Sequence, residues 1–278
     1  MLKALGDAAP KLSAAERRVA VAIADDPRSV AFGTMAELVE RSLAGAGTIA
    51  RLCAKLGFDG YSALQRAVQD ELVEQLRPAA LRIRESVGGE DLLGRVQNAE
   101  VRNLSATLDA VSRTDFAAAV KLLADPKRHV VVLASHACFG VGLQFANELS
   151  LLRPNVELLD GNAVAVGRRV ALADGTDTVV AMDFRRYDSW LVDTASRFVA
   201  GGASLIALTD SALSPIAERS ALSFVIHAEA PGPFDSLVAT LALVGALSAG
   251  VAERLKTTAA LRLAKVEQAW THTNALQP

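Results

Sequence analysis

Three short polar segments, each directly after a run of β-forming residues, carry side chains suited to holding a small polar molecule. The first is Ala134-Ser135-His136-Ala137-Cys138-Phe139-Gly140, which opens a helical segment whose free amides favour an anion. Ser135 contributes a hydroxyl there, and His136 a ring that titrates near neutral pH. The second is Asp183-Phe184-Arg185-Arg186-Tyr187-Asp188-Ser189. The planar forks of Arg185 and Arg186 suit phosphate or carboxylate, although a pair of solvated loop arginines reads the same way. The third, Thr209 to Pro215, is a polar turn with Asp210 and Ser211 whose hydroxyls would bind a sugar or cap a helix. Glu229, ahead of Pro231-Gly232-Pro233, has the chemistry of a base. No spacing pairs it with His136, so both read as polar contacts and no residue is assigned as catalytic. There is no G-x-G-x-x-G, P-loop or nucleophile elbow, and no cofactor is expected. Cys53, Cys138 and the four histidines lack metal-ligand or disulfide spacing, so no metal is expected either.

These segments must be positioned by the elements before them. Val130–Leu133, Val156–Leu159, Thr178–Ala181, Ser204–Leu208 and Leu222–Ile226 are short β-rich runs separated by stretches with helical periodicity. Continuous apolar strands alternating with helices predict a doubly wound five-stranded parallel sheet covered on both faces. In such a sheet ligands sit outside the carboxyl ends of the strands, where all three polar segments fall. The expected division is a helical unit over 1–78, a helical linker and lead-in helices over 79–120, and an α/β unit over 121–278. The linker contains Gly88-Gly89, a candidate flexible joint.

The first 78 residues read as three or four short helices. Ser13 and Glu16 form a capping-box signature, and the helix they open should stop at Asp25-Asp26-Pro27. Thr34 and Glu37 repeat the signature ahead of MAELVERS, where Met35, Leu38 and Val39 share an expected buried face. In TIARLCAKLGF, Ile49, Leu52, Cys53 and Leu56 make an apolar stripe that Gly57 terminates; a further helix should run from Tyr61 to Arg77. Two short helices around a tight connection outline a helix-turn-helix, or any small helical bundle. Thr48, Arg51 and Lys55 lie outward on the second helix, within reach of base edges or phosphates.

The net charge bears on that reading. Over the 278 residues, 29 basic and 31 acidic side chains give a formal charge of −2, so bulk charge does not attract nucleic acid. Residues 1–78 hold ten basic and ten acidic groups, so an oligomer presenting two readers is needed to strengthen binding. With 51% hydrophobic residues the chain can bury a core. The apolar stretch Leu237–Val251 is short for a membrane span and reads as a buried helix. The N-terminus lacks the apolar region of a signal peptide, and a cytoplasmic location without membrane association is expected.

LSAAERRVAVAIADDPRSVAFGTMAELVERS followed by TIARLCAKLGFDGYSALQ resembles the N-terminal domain of the MurR/RpiR family of bacterial transcriptional regulators. Arg51 to Ser62 is the most specific stretch. FRRYD, TDSALSPIA and PFDSLVATLALVGAL look like the sugar isomerase (SIS) domain of that family. The resemblance implies a DNA-binding regulator, a homodimer or homotetramer, whose SIS domain senses a sugar phosphate or related polar metabolite. It places Thr34, Gly45, Ala46, Thr48, Arg51 and Lys55 at DNA. In the sensor it aligns Cys138 with a phosphate-binding serine, and puts Asp183 and Asp188 where serines are usual. The turn departs too: Leu43 replaces a glycine and should resist a left-handed conformation, and Gly45 replaces a capping serine. Gly45 and Gly47, if both helical, would weaken the start of the second helix. Two alternatives are an aldose–ketose phosphate isomerase and a SIS scaffold that no longer binds DNA.

Overall fold

The computed structural model describes Leu5, Ala8, residues 11–75, Arg82, Ile83, 91–212 and 214–275. It forms two compact units, centred on residues 1–86 and 87–278. Gly88-Gly89, and the expected helix end at Arg77, lie outside the described residues.

The first unit contains α1 (Ala14–Asp25), α2 (Pro27–Phe32), α3 (Met35–Ser42), α4 (Ala46–Lys55) and α5 (Tyr61–Gln75). Ser13 and Glu16 cap α1 reciprocally, the Ser13 N–H donating to Glu16 Oε2 at 2.8 Å. α1 stops where expected, but Pro27 then opens the unforeseen α2, with Asp26 as its cap. A proline that ends one helix is compatible with the first position of the next, where its missing N–H would have no partner. Val19, Ile23, Leu38, Ile49, Leu52, Cys53, Leu64 and Val68 form the core. Met35, expected on the buried face, is instead 39% exposed, while Val39 is partly buried.

The carbonyls at the end of α2 have no helical partners, and α5 supplies them. Gln65 Nε2 donates to the Val30 and Gly33 carbonyls at 2.9 and 2.8 Å, and Gln69 Nε2 to the Ala31 carbonyl at 2.7 Å. The turn between α3 and α4 corrects one expectation. Leu43 does adopt the left-handed conformation, at φ 49 and ψ 39, with its side chain 81% exposed. Gly45 is the extended N-cap residue of α4 and only Gly47 is helical, so the expected weakening from two helical glycines reduces to one.

The second unit opens with α6 (Leu92–Ala110) and α7 (Arg113–Ala124), followed by β1 (His129–Ala134), α8 (Phe139–Leu152), β2 (Val156–Leu158), α9 (Ala163–Ala171) and β3 (Asp177–Asp183). Then come α10 (Ser189–Ala200), β4 (Ser204–Thr209), β5 (Leu222–Val225), α11 (Val238–Leu255) and α12 (Thr257–His272). All strand pairs are parallel, in the order β2-β1-β3-β4-β5. Alternation along the strands builds two cores. Val130, Val132, Val180, Met182, Ile206 and Leu208 face α7, α8 and α11. Val131, Leu133, Val179, Ala181, Leu205 and Ala207 face α9 and α10.

α11, long and apolar enough by composition to cross a membrane, buries Ala239, Leu243, Val244, Leu247 and Val251 in the first of these cores. Arg153 is buried where α8 ends and donates to the Leu123 carbonyl at 2.5 Å and to the Arg128 carbonyl, satisfying backbone groups at the end of α7 and the start of β1.

Leu43→Gly should stabilise the first unit by about 0.5–1 kcal/mol, the left-handed penalty less the greater chain entropy of glycine. Urea unfolding followed by amide exchange over residues 14–55 measures it. An unchanged or lower midpoint would mean that the exposed leucine carries no backbone strain.

Candidate functional site

The parallel register brings the three polar segments to one edge of the sheet. Ala134 pairs with Met182, Asp183 with Thr209, and Thr209 with Val225. Ser135 follows β1, its N–H donating to the Met182 carbonyl at 3.0 Å. Asp183, the last residue of β3, is 2% exposed, and its Oδ2 accepts from the Asp188 N–H at 2.8 Å. The Ser135 side chain also hydrogen-bonds this carboxylate. Burial pushes Asp183 up to about 6, with Asp188 and Asp210 adding repulsion.

Asp210 follows β4 and accepts from the Tyr187 hydroxyl at 3.0 Å. Burial raises both groups, so the phenol stays protonated as a donor. Arg185 reaches Asp235 through a bidentate ion pair, with Nε 3.1 Å from both carboxylate oxygens and Nη2 bonded to Oδ1. Its backbone N–H also donates to Asp210.

The other expected ligand contacts are distributed differently. Asp188 caps α10, accepting from the Trp190 N–H at 2.9 Å. Arg186 is exposed, in a left-handed backbone conformation. Ser211 is buried, and His136 and Glu229 are exposed. Cys138 is fully buried in the core, its thiol pushed up to about 12 by desolvation. A protonated thiol closed off from solvent packs the start of α8. Tyr187 and Asp235 were missed by the reading of single residues. Tyr187 stood within the quoted FRRYD and Asp235 within the quoted PFDSLVATLALVGAL, but nothing local pairs Asp235 with Arg185, 50 residues away.

In the first unit, α3, the turn Leu43-Ala44-Gly45 and α4 form the helix pair. The Thr34 hydroxyl accepts from the Glu37 N–H at 3.3 Å and caps α3, leaving it a structural task. Gly45 provides no side-chain cap to α4. Thr48, expected to lie outward, is buried at 8% exposure, whereas Arg51 is exposed and its Nη2 donates to Thr48 Oγ1 at 3.1 Å, which draws the guanidinium back along the helix start. A Cβ on Gly47 would meet Arg51 Nη1 at 3.6 Å, an ordinary contact, so nothing in the packing requires glycine there.

Lys55 is half exposed, but its ammonium is 2.7 Å from the buried carboxylate of Glu16. Lys55 and the Ser13 amide hold Glu16 down to about 2. Arg17, Arg18 and Arg41, absent from the sequence-based site, line a groove with Val21 and Leu43 beside the turn. Arg41 spans to the Ala22 carbonyl at 2.9 Å.

Asp183 opposes folding when ionised, because its pKa rises from 3.8 to about 6 on folding. The opposition is complete above pH 6 and fades as pH falls towards 4, where the unfolded carboxyl is also protonated. It amounts to roughly 3 kcal/mol at most. Asp183→Asn should therefore raise the unfolding midpoint of the second unit at pH 7.5, with the gain vanishing by pH 4. A gain independent of pH, measured by thermal unfolding, would contradict it.

Comparison with known proteins places both units. Residues 1–75 match the helix-turn-helix domain of the rpiR family, and residues 122–249 match the SIS domain. The HTH-type transcriptional regulator HexR of Pseudomonas aeruginosa is 24% identical over 250 residues, covering 88% of this chain and 86% of its own. The sugar isomerase domain of an RpiR transcription factor from Sphaerobacter thermophilus superposes with a TM-score of 0.60 at 25% identity, over 64% of this chain and 99% of that one. The Vibrio vulnificus NanR protein, solved with ManNAc-6P, superposes with a TM-score of 0.59 at 19% identity over 98% of both chains. With a helix pair ending in Arg51 and Lys55 and a five-stranded parallel sheet behind it in sequence, the chain belongs to the RpiR family, a helix-turn-helix domain joined to a SIS domain.

Proposed function

We propose that this protein is a cytoplasmic transcriptional regulator that reads operator DNA through α3 and α4. Its SIS unit responds to a sugar phosphate or related polar metabolite. It acts as a homodimer or homotetramer, because two readers on one site convert modest single affinities into firm binding. The observation that carries the reading is the exposed Arg51 guanidinium, held by Thr48 beside the start of α4, a helix that itself carries no acid. Glu16 and Glu37 serve capping boxes and Asp26 caps α2, so the formal neutrality of the unit does not describe the surface beside α4.

Arg51 is assigned to a base edge, and the uncapped amides at Ala46 and Gly47 to a phosphate. Arg17 and Arg18 flank the turn and suit the phosphate backbone. Lys55 holds Glu16, so its contribution to binding is through folding. The effector meets Ser135, Arg185, Tyr187 and Asp210 at the carboxyl edge of the sheet. No placed acid–base pair supports an isomerase there, since His136 and Glu229 are exposed and Asp183 is enclosed by protein donors. Turnover of a sugar phosphate that Glu229→Gln abolishes would restore that reading.

Selection from fragmented genomic DNA by the full chain, with and without sugar phosphates, is the direct test. A palindromic site should be retained, and failure to retain any fragment would sink the proposal. Arg51→Ala should weaken that site by about 5- to 150-fold, with the melting temperature unchanged. Lys55→Met should lower the melting temperature first, and binding with it. Removing Arg17 and Arg18 together should cut the dependence of log affinity on log salt by about two per reader while sparing sequence preference.

A further inference from the structure

Asp235 sits on a strap, residues 227–237, that ties two parts of the second unit together. The Ser236 N–H donates to the Ala228 carbonyl at 2.9 Å and closes the strap at its base. Pro231, Gly232, Pro233 and Phe234 form its tip, with the Phe234 ring 75% exposed. One side of the strap is held by Arg185, immediately after β3. The other side is held by α6 through residues spaced three and four apart. Asn103 Nδ2 donates to the Glu229 carbonyl at 2.6 Å and its Oδ1 accepts from the Glu229 N–H at 3.3 Å. Thr107 Oγ1 accepts from the His227 N–H at 2.9 Å, and Ser236 Oγ donates to Glu100 Oε2 at 2.6 Å. Asn103 and Thr107 are buried, and both serve the strap.

The Arg185–Asp235 contact has the geometry in which a guanidinium holds a phosphate or carboxylate of a ligand. Both side chains are largely buried, so the pair is not a screened surface contact. Three acids at the ends of β3 and β4 are engaged elsewhere: Asp183 by the Asp188 amide, Asp210 by Tyr187, and Asp188 at the start of α10. Asp235 is the carboxylate that sits on the Arg185 side chain, so its departure would leave the fork facing an incoming anion.

We propose that Asp235 is a built-in competitor for an anion seat on Arg185, and that an acidic ligand group displacing it loosens the strap from α6. This rests on the SIS unit being a metabolite sensor. A tethered carboxylate competes at an effective concentration in the millimolar range, so inorganic phosphate displaces it only when supplied well above that range. Asp235 thereby sets the affinity threshold, and a ligand acting at lower concentration must add contacts of its own. Because Ser236 is next in the chain and bonds Glu100, displacement reaches α6, the first described helix after the segment that joins the two units.

The test uses the full chain and inorganic phosphate, with acetate and sodium chloride at matched ionic strength. On the wild-type protein, hydrogen exchange should speed up over 227–237 and 100–107 with phosphate and not with chloride. Acetate reports whether a simple carboxylate suffices. In calorimetry, Asp235→Asn should bind phosphate at least tenfold more tightly than wild type, and adding Arg185→Ala should abolish the gain. Equal acceleration by chloride, no acceleration by phosphate, or a folded Asp235→Asn that binds no tighter would overturn the proposal. If Asp235→Asn fails to fold, the exchange result on the wild-type protein decides. Failure of the regulator reading would appear separately, as the absence of any retained DNA.

Discussion

A parallel sheet places every strand's carboxyl end on the same edge, and the candidate sensor depends on that constraint. Ser135, Asp183 and Asp210 are separated by dozens of residues in the chain, yet each lies within one residue of a strand end in register with its neighbour. The register is held by alternation: even-numbered residues of β1, β3 and β4 feed one core and odd-numbered residues the other, for the most part. A slip of one residue would send each set to the wrong face, so burial on both faces fixes the polar edge as firmly as it fixes the core.

The same burial sets the chemistry of the edge. Carboxylates removed from water remain there only with donors, and each has one. Asp183 takes a backbone amide and the Ser135 side chain, Asp210 takes a phenol, and Asp235 takes a guanidinium. The result is an arginine fork, of the geometry that suits an anion, engaged by the protein's own acid.

In the helical unit an equal count of acids and bases conceals an uneven distribution of tasks. Glu16, Asp26 and Glu37 cap helices, and the buried Glu16 also pairs with Lys55, whereas Arg17, Arg18 and Arg51 remain at the surface. The recognition helix is thus basic where it is open, despite a neutral total. Lys55 shows the reverse. Its position at helical spacing from Arg51 marked it for DNA, and in the fold its ammonium also meets Glu16, 39 residues earlier.

Much of this was legible from residue order, because the signals involved are local. Capping boxes act over three residues, strand runs declare themselves by β-branched content, and Gly57 ends α4 at φ 81 as its position implied. The five strands, the helix pair and the polar loops followed from such signals. What local order did not contain were the pairings across distance: Lys55 with Glu16, Gln65 and Gln69 with the end of α2, Arg185 with Asp235, and the α6 side chains with the strap. Each satisfies a group that burial strips of water, and only the packed chain determines which groups those are. Leu43 belongs with them. Its side chain disfavours the left-handed turn by a fixed local amount, but closing α3 onto α4 over a shared core outweighs that penalty. The sequence by itself determined the elements and the chemistry available at their ends; the tertiary structure decided which of those groups remain available to a ligand, because that depends on which of them the fold consumes.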